Sequence, residues 1–464
     1  MLFPTLDYLL FLPIVLGLYW AVPRTLRIWV AGLASLLFYA SWNIEYLPAL
    51  LVVSGVAWTA PYWMKRWQRW LGVLIVMLPL LAFKYWNWFC WNIEALSQAI
   101  GNTVVLPHLS GALPVGISFF TFQAVAYAID VKKNGKGEKN FGYFFSFICF
   151  FPQLVAGPIV RQKELLPQLK KTPLMQQGMA REGIYRIIKG MVKKLLIADV
   201  MSVAIVDPVF MEPGDFTGLE VLVALYAYTL QIYYDFSAYT DIAIGSALFF
   251  GIRLPENFNR PYKATSVAEF WRRWHITLSN WARDYIYYPL GGSQISTTWK
   301  IYRNIIATML VIGIWHGASW NFVIYGILHG TAVSINRVQR KRTGRRAGMP
   351  FDHWSQWLWR FLLTFHFVVI ARILFRAEGL YGSVAILESL LNFHLVLPRF
   401  SPLAWLIFAI GYAIHFSPVR LETACQRFFC SQKAIVQSII AALAAMICWK
   451  VGTGDQLYFV YYQF

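Results

Sequence analysis

Residues Ile305–Gly330 read IIATMLVIGIWHGASWNFVIYGILHG. As a continuous helix the run to Leu328 would be roughly 36 Å long, enough to cross the hydrocarbon core of a bilayer. It nevertheless carries one ionisable side chain, His316, near its middle. An imidazole there costs less than a carboxylate or an ammonium, but is still rare without a task. Gly313 and Gly317 flank it and would let another backbone, or a substrate, come close. Two readings stand: a histidine that bonds a neighbouring helix, or a functional group. His329 follows thirteen residues later. On a straight helix that is roughly 20 Å along the axis and more than half a turn away, so the two cannot share a reaction centre unless the helix breaks. His329 also ends the run, where an imidazole suits the helix dipole, and is read as structural.

The rest of the chain has the same character. Of its 464 residues 58% are hydrophobic, 17% aromatic and only 14% charged. A soluble chain carries about 25% charged residues and must cover its surface with polar groups. A bilayer is therefore expected to supply much of the solvent. Apolar runs recur at Leu9–Val22, Ile28–Trp42, Tyr46–Trp63, Trp70–Phe83, Ile187–Val206, Leu219–Phe250, Ile305–Leu328, Trp357–Ile370, Leu403–Ile414 and Ala434–Val451. Several are too short for a perpendicular span and are expected to be tilted, distorted or re-entrant. The expected fold is an all-α integral membrane protein of about ten to twelve helices. The first run has no basic flank and no small-residue cleavage site, so a retained helix is expected there rather than a signal peptide.

Net charge is +19, from 41 basic and 22 acidic residues. The basic residues gather in breaks between apolar runs, at Lys65-Arg66, Lys132 to Lys139 and Arg337 to Arg346. Cytoplasmic loops carry that bias, so the charge reads as orientation and not as a nucleic-acid site. Cys90, Cys149, Cys425, Cys430 and Cys448 show no ligand spacing and read as small hydrophobes; no metal site is expected. Two apolar stretches contain backbone breakers: Pro114 and Gly116, then Pro152, Gly157 and Pro158. Irregular backbone at membrane depth survives only where protein buries it or it lines a wet cavity, so a funnel or tunnel is expected in mid-chain.

Residues 254–293 turn polar and aromatic. Ser266 and Glu269 predict a helix starting after Ser266. Phe270, Trp271, Trp274, Leu278, Trp281 and Tyr285 then recur at helical spacing. The pattern describes an amphipathic helix for the headgroup plane, or one packed in a cytoplasmic cap. His275 on it is read either as a substrate-positioning group at a tunnel mouth or as an interface histidine. Gln231 and Asp235 share a helix face, and Asp235 and Asp241 need partners, with Arg161, Arg260 and Arg283 as candidates. A buried polar network and a catalytic role are both open for them. His108, His353, His366, His394 and His415 show no ligand spacing. No serine-hydrolase elbow, P-loop or dinucleotide fingerprint occurs in a suitable context. A lone histidine base that takes the proton of an attacking hydroxyl is the economical proposal.

Six ordered stretches carry a resemblance: LPVGISFFTFQAVAYAIDV (113–131), FFPQLVAGPIVR (150–161), QIYYDFSAYTDIAIG (231–245), LPENFNRPY (254–262), EFWRRWHITLSNWARDYIYYPLGG (269–292) and IGIWHGASWNFVIYGILHG (312–330). Together they resemble the membrane-bound O-acyltransferases, in the bacterial branch of alginate and peptidoglycan O-acetylation. The resemblance implies a ring of helices around a central funnel, with residues 1–464 as one polytopic domain and a motif-dense core at about 114–330. It implies His316, in Trp315-His316-Gly317, as the catalytic histidine and His275 as the second catalytic position. Trp315, Asn321, Gln231 and Asp235 are then substrate-binding candidates. It further implies acetyl-CoA as donor substrate with no bound cofactor. The acceptor would be a polysaccharide reached through a periplasmic acyltransferase partner, and the location a multi-pass place in the bacterial cytoplasmic membrane. The chain departs from its relatives at Ser237-Ala238-Tyr239-Thr240-Asp241, where S-G-Y-S-D is common, and at Ser293-Gln294-Ile295-Ser296, where Asn-Arg is common. The alternatives are a transporter without acyl chemistry and a family member using another donor, such as a D-alanyl carrier protein.

Overall fold

Apolar stretches without strand periodicity fold as helices, and the computed structural model is 78% helix with no strand among its described residues. These are residues 3–63, 69–135, 137–171, 174, 176–294, 297–344, 349, 351–394 and 398–451. Lys65-Arg66, Lys136, residues 345–346 and Ile295-Ser296 lie outside the described residues. Among the described residues three helices are long and apolar enough to cross a membrane: Trp70–Ala99, Trp354–Arg376 and Ala434–Val451. The number rises to at most five if each of two bent pairs is one span: Arg27–Ala40 with Ile44–Ala60 at 118°, and Pro402–Phe416 with Val419–Ser431 at 97°. The bends bear out the expected distortion of short runs; ten to twelve crossings are not reached on this measure. Trp70–Ala99 and Ala434–Val451 are only 17% and 11% buried over their apolar windows. Such faces need lipid.

The chain divides into two compact units. The first comprises Met1–Ile184 and Ile242–Pro255. Its helices Leu6–Ala21 and Arg27–Ala40 meet through Tyr8 and Phe38, whose ring centroids lie 6.0 Å apart. The Tyr8 hydroxyl reaches Ser246 Oγ at 2.6 Å. The expected irregularity near Pro152 is real: one helix ends at Cys149 and a four-residue turn follows at Phe151–Leu154. Gln123 and Gln153 both donate from Nε2 to the Phe147 carbonyl, at 2.6 and 2.8 Å. They satisfy a backbone group that the break would otherwise strand in an apolar interior.

The second unit comprises Tyr185–Asp241 and Glu256–Phe464. Here the structure corrects two expectations. Ile305–Leu328 is not one helix, because Thr298–His316 stops and Trp320–Thr343 starts afresh. Nor is the segment after Ser266 one amphipathic helix. Ser266 does cap Val267–Arg273, its Oγ accepting the Glu269 N–H at 3.2 Å, a cap worth about 1 kcal/mol. The chain then leaves the helix at Trp274 and restarts at Ile276, with His275 between them in the left-handed region at φ 42°. Trp271, Trp274 and Trp281 are buried, so the aromatic face packs inward and not into a headgroup layer.

Candidate active site

Gly317 ends the first hairpin helix in extended backbone, and Ser319 opens the second by accepting the Asn321 N–H at 3.3 Å. The two helices press together on glycines. A Cβ on Gly326 would lie 2.7 Å from the Met309 carbonyl oxygen, and one on Gly330 would lie 2.8 Å from Ile306 Cα. Gly313 likewise faces Phe322 and Gly326, so the close approach expected beside His316 is made by backbone. Folding back brings His329 near His316 again. Tyr325 touches both rings, with centroids 6.1 Å from His316 and 4.3 Å from His329. The separation computed for a straight helix therefore does not hold.

His316 is 2% exposed and packs on Trp315 at 5.0 Å and on Phe375 at 4.8 Å. Trp315 also packs on His275, at 5.7 Å. One indole thus joins the two histidines taken from different motifs. Phe236, next to Asp235 in sequence, packs edge-on against His275 at 4.8 Å.

Asn257 fixes His275. Its side-chain oxygen accepts the Thr277 N–H at 3.2 Å and the Thr277 hydroxyl at 2.9 Å, and lies 3.1 Å from His275 Nδ1. A backbone N–H can only donate, so this atom is the amide oxygen and His275 Nδ1 must carry the proton. The Nε2 lone pair is then what His275 presents. The Asn257 carbonyl also takes the Ile276 N–H at 2.9 Å, which holds the left-handed turn. Complete burial pushes the His275 pKa down to about 3, so the ring is neutral at any working pH.

Gln231 and Asp235 belong to a buried network. Lys194 bridges Asp199 and Asp235 at 2.7 and 2.9 Å. Gln231 donates to Ser202 Oγ at 2.7 Å, and Ser202 in turn donates to Asp207, which pairs with Arg376 at 2.9 Å. Two π-turns, Lys193–Ala198 and Ser202–Val206, carry Lys194 and Ser202. Asp241 is held by Arg186, Lys189 and Lys193, at 2.6, 3.2 and 2.7 Å. Of the arginines expected as partners, Arg260 pairs with Glu422 and Arg283 with Asp284. Asn321 uses its amide N–H groups on the Ala377 and Gly379 carbonyls, both at 3.0 Å, tying the hairpin to the start of the helix Gly379–Leu391. His275, Trp315 and His316 therefore come together, whereas the bonds of Gln231, Asp235 and Asn321 run into the scaffold. Among the described residues no group of three His, Cys, Asp or Glu side chains is arranged to hold a metal ion.

Sequence reasoning passed over Asn257, Lys194 and Arg372. Asn257 is polar in a polar stretch, Lys194 sits inside an apolar run, and Arg372 stands just past the end of another. For Arg372, a charge on the flank of a span reads first as orientation.

Two buried imidazoles thus stand at helix breaks, each packed on one shared indole, in an apolar helical chain. Residues 34–377 match the membrane-bound O-acyltransferase family, and the chain belongs to that family as an O-acyltransferase. It is 39% identical to a probable alginate O-acetylase of Azotobacter vinelandii, over 80% of this chain and 74% of that protein. It is 34% identical to a peptidoglycan O-acetyltransferase of Helicobacter pylori, over 82% of this chain and 76% of the other. A teichoic acid D-alanyltransferase of Streptococcus thermophilus is 28% identical over 74% of this chain and 81% of its own length.

Proposed function

We propose that the chain is a multi-pass acetyltransferase of the bacterial cytoplasmic membrane. It takes the acetyl group of cytoplasmic acetyl-CoA and passes it outward, through a periplasmic acyltransferase partner, to a cell-surface or exported polysaccharide. The observation that carries this reading is His316 at the tip of a glycine-packed hairpin, one indole away from His275. The open end of that hairpin is basic, with Lys300 and Arg303 on one helix and Arg340, Lys341 and Arg342 on the other. A basic end belongs on the cytoplasmic side, which puts the tip roughly 27 Å away along the first helix. The reading includes residues 1–464 as one acyltransferase domain whose ten to twelve helices enclose a funnel leading donor and acceptor to His316.

In this chemistry His316 accepts the proton of the acceptor hydroxyl as that oxygen bonds to the thioester carbon. The C–S bond then breaks, and the CoA thiolate leaves with the proton that His316 returns. His275, with its lone pair on Nε2, accepts a hydrogen bond and orients a reactant; Trp315 sets the spacing of the two rings. The test is purified protein in nanodiscs with acetyl-labelled acetyl-CoA and the periplasmic acyltransferase partner, following CoA release and label on that partner and on an oligosaccharide acceptor. His316→Ala should lose more than about a hundredfold in rate while remaining inserted and folded. Full activity in that variant would defeat the assignment. The 28% identity to a teichoic acid D-alanyltransferase favours one second reading, a D-alanyl carrier protein as donor. Turnover of that carrier with no release of CoA from acetyl-CoA would select it.

A further inference from the structure

Acyl transfer builds negative charge on the carbonyl oxygen, and the two histidines at Trp315 supply no cation to receive it. Arg372 lies where Trp354–Ala371 meets Ile373–Arg376, inside a helix apolar enough to span, and is 0% exposed. A guanidinium so placed marks function before structure, because the membrane interior makes it expensive. It stands 4.4 Å from the Trp274 ring and 5.4 Å from the Phe375 ring. Trp274 precedes His275 in the chain, and Phe375 packs on His316 at 4.8 Å. The cation is therefore one ring away from each histidine-bearing segment. Its charge acts on Tyr262, Tyr228 and His329.

Tyr228 and His329 add donors. The Trp271 indole N–H donates to His329 Nδ1 at 3.1 Å. An indole nitrogen never accepts, so neutral His329 carries its proton on Nε2. Among the described residues that Nε2 is buried with no hydrogen-bond partner, and the same is true of the Tyr228 hydroxyl. Buried donors are almost always satisfied, so each is a place where a bound acceptor atom belongs.

We propose that Arg372, together with His329 Nε2–H and the Tyr228 hydroxyl, forms the anion-stabilising side of the acyl-transfer centre. The inference rests on the acyl-transfer reading above. When the acceptor oxygen bonds to the thioester carbon, the C=O pair moves onto the carbonyl oxygen and Arg372 faces the resulting oxyanion. The pair returns as the C–S bond breaks, and the thiolate takes the proton held by His316. Preorganised donors aimed at developing charge act most strongly in such a dry site.

The experiment is steady-state turnover of labelled acetyl-CoA in nanodiscs, with donor binding measured separately. Arg372→Met should lose about a hundredfold in kcat with donor affinity unchanged. Added guanidinium should restore part of the rate of Arg372→Ala, which a purely structural arginine would not allow. His329→Phe and Tyr228→Phe keep their rings, remove the donors, and should each lose about tenfold in kcat. A folded Arg372→Met enzyme with the wild-type rate overturns the proposal. If the Arg372 variants do not fold, wild-type rates in both His329→Phe and Tyr228→Phe overturn it. His316→Ala is assayed alongside. An inactive His316→Ala beside normal Arg372, His329 and Tyr228 variants defeats this inference alone, whereas an active one defeats the acyl-transfer reading itself.

Discussion

The side-chain oxygen of Asn257 decides which nitrogen of His275 is basic. Asn257→Leu removes that constraint, and the ring then turns or changes tautomer, so acyl transfer should fall at least about tenfold. Asn257→Asp keeps the acceptor but adds a negative charge beside the imidazole. The charge favours the protonated ring, so the His275 pKa rises from about 3 toward neutrality. Below that new value the Nε2 lone pair is lost, and activity should fall as pH falls. The wild-type rate between pH 5 and pH 8 should show no limb from His275. Rate against pH for both enzymes checks this, and superimposable profiles would refute the role given to Asn257. At this scale the sequence is legible only in part. His316 was visible because an imidazole is conspicuous in an apolar run, and His275 because its motif resembles one in a family. Asn257 offered no such contrast, since its importance lies in a tautomer that only geometry fixes.

Helix breaks are the features least legible at the scale of elements. The tip Gly317-Ala318-Ser319 is nearly as apolar as the run around it, so hydropathy passes over it. The available signals were Gly317 and the capping Ser319 three residues after His316. The restart at Ile276 is hidden in the same way, because Phe270, Trp274, Leu278 and Trp281 keep helical spacing across the left-handed residue. Starts were easier to read: Ser266 with Glu269 marks its helix to the residue. The glycines of the hairpin carry a specific expectation. A methyl on Gly326 meets Leu310 Cα at 2.8 Å as well as the Met309 carbonyl, and backbone cannot step aside cheaply. Gly326→Ala should cost about 1–3 kcal/mol, seen as a lower Tm in detergent, with a fall in rate as His316 is displaced. Gly55→Ala is the control, because nothing lies within 4 Å of its added methyl and alanine favours the helix. Equal Tm values for the two variants would contradict the close packing.

For the whole molecule, composition alone announced the bilayer, since 14% charged residues cannot cover a soluble chain of 464. The number of crossings was not legible, because hydropathy counts apolar length and cannot see bends such as the 118° turn between Arg27–Ala40 and Ile44–Ala60. Orientation is a different matter, for it follows from charge. The last turn of the helix Trp320–Thr343 carries Arg340, Lys341 and Arg342, with Thr343 between them and Gly344, where the helix ends. Positive residues at a span end are retained in the cytoplasm, so the open end of the histidine hairpin should face inward. A single cysteine at Gly344, placed in a variant whose five native cysteines are replaced, reports this directly. In intact cells it should resist a membrane-impermeant maleimide, and it should label once the membrane is permeabilised. Labelling in intact cells would reverse the hairpin, place His316 nearest the cytoplasm, and leave the outward passage of the acetyl group without its geometry.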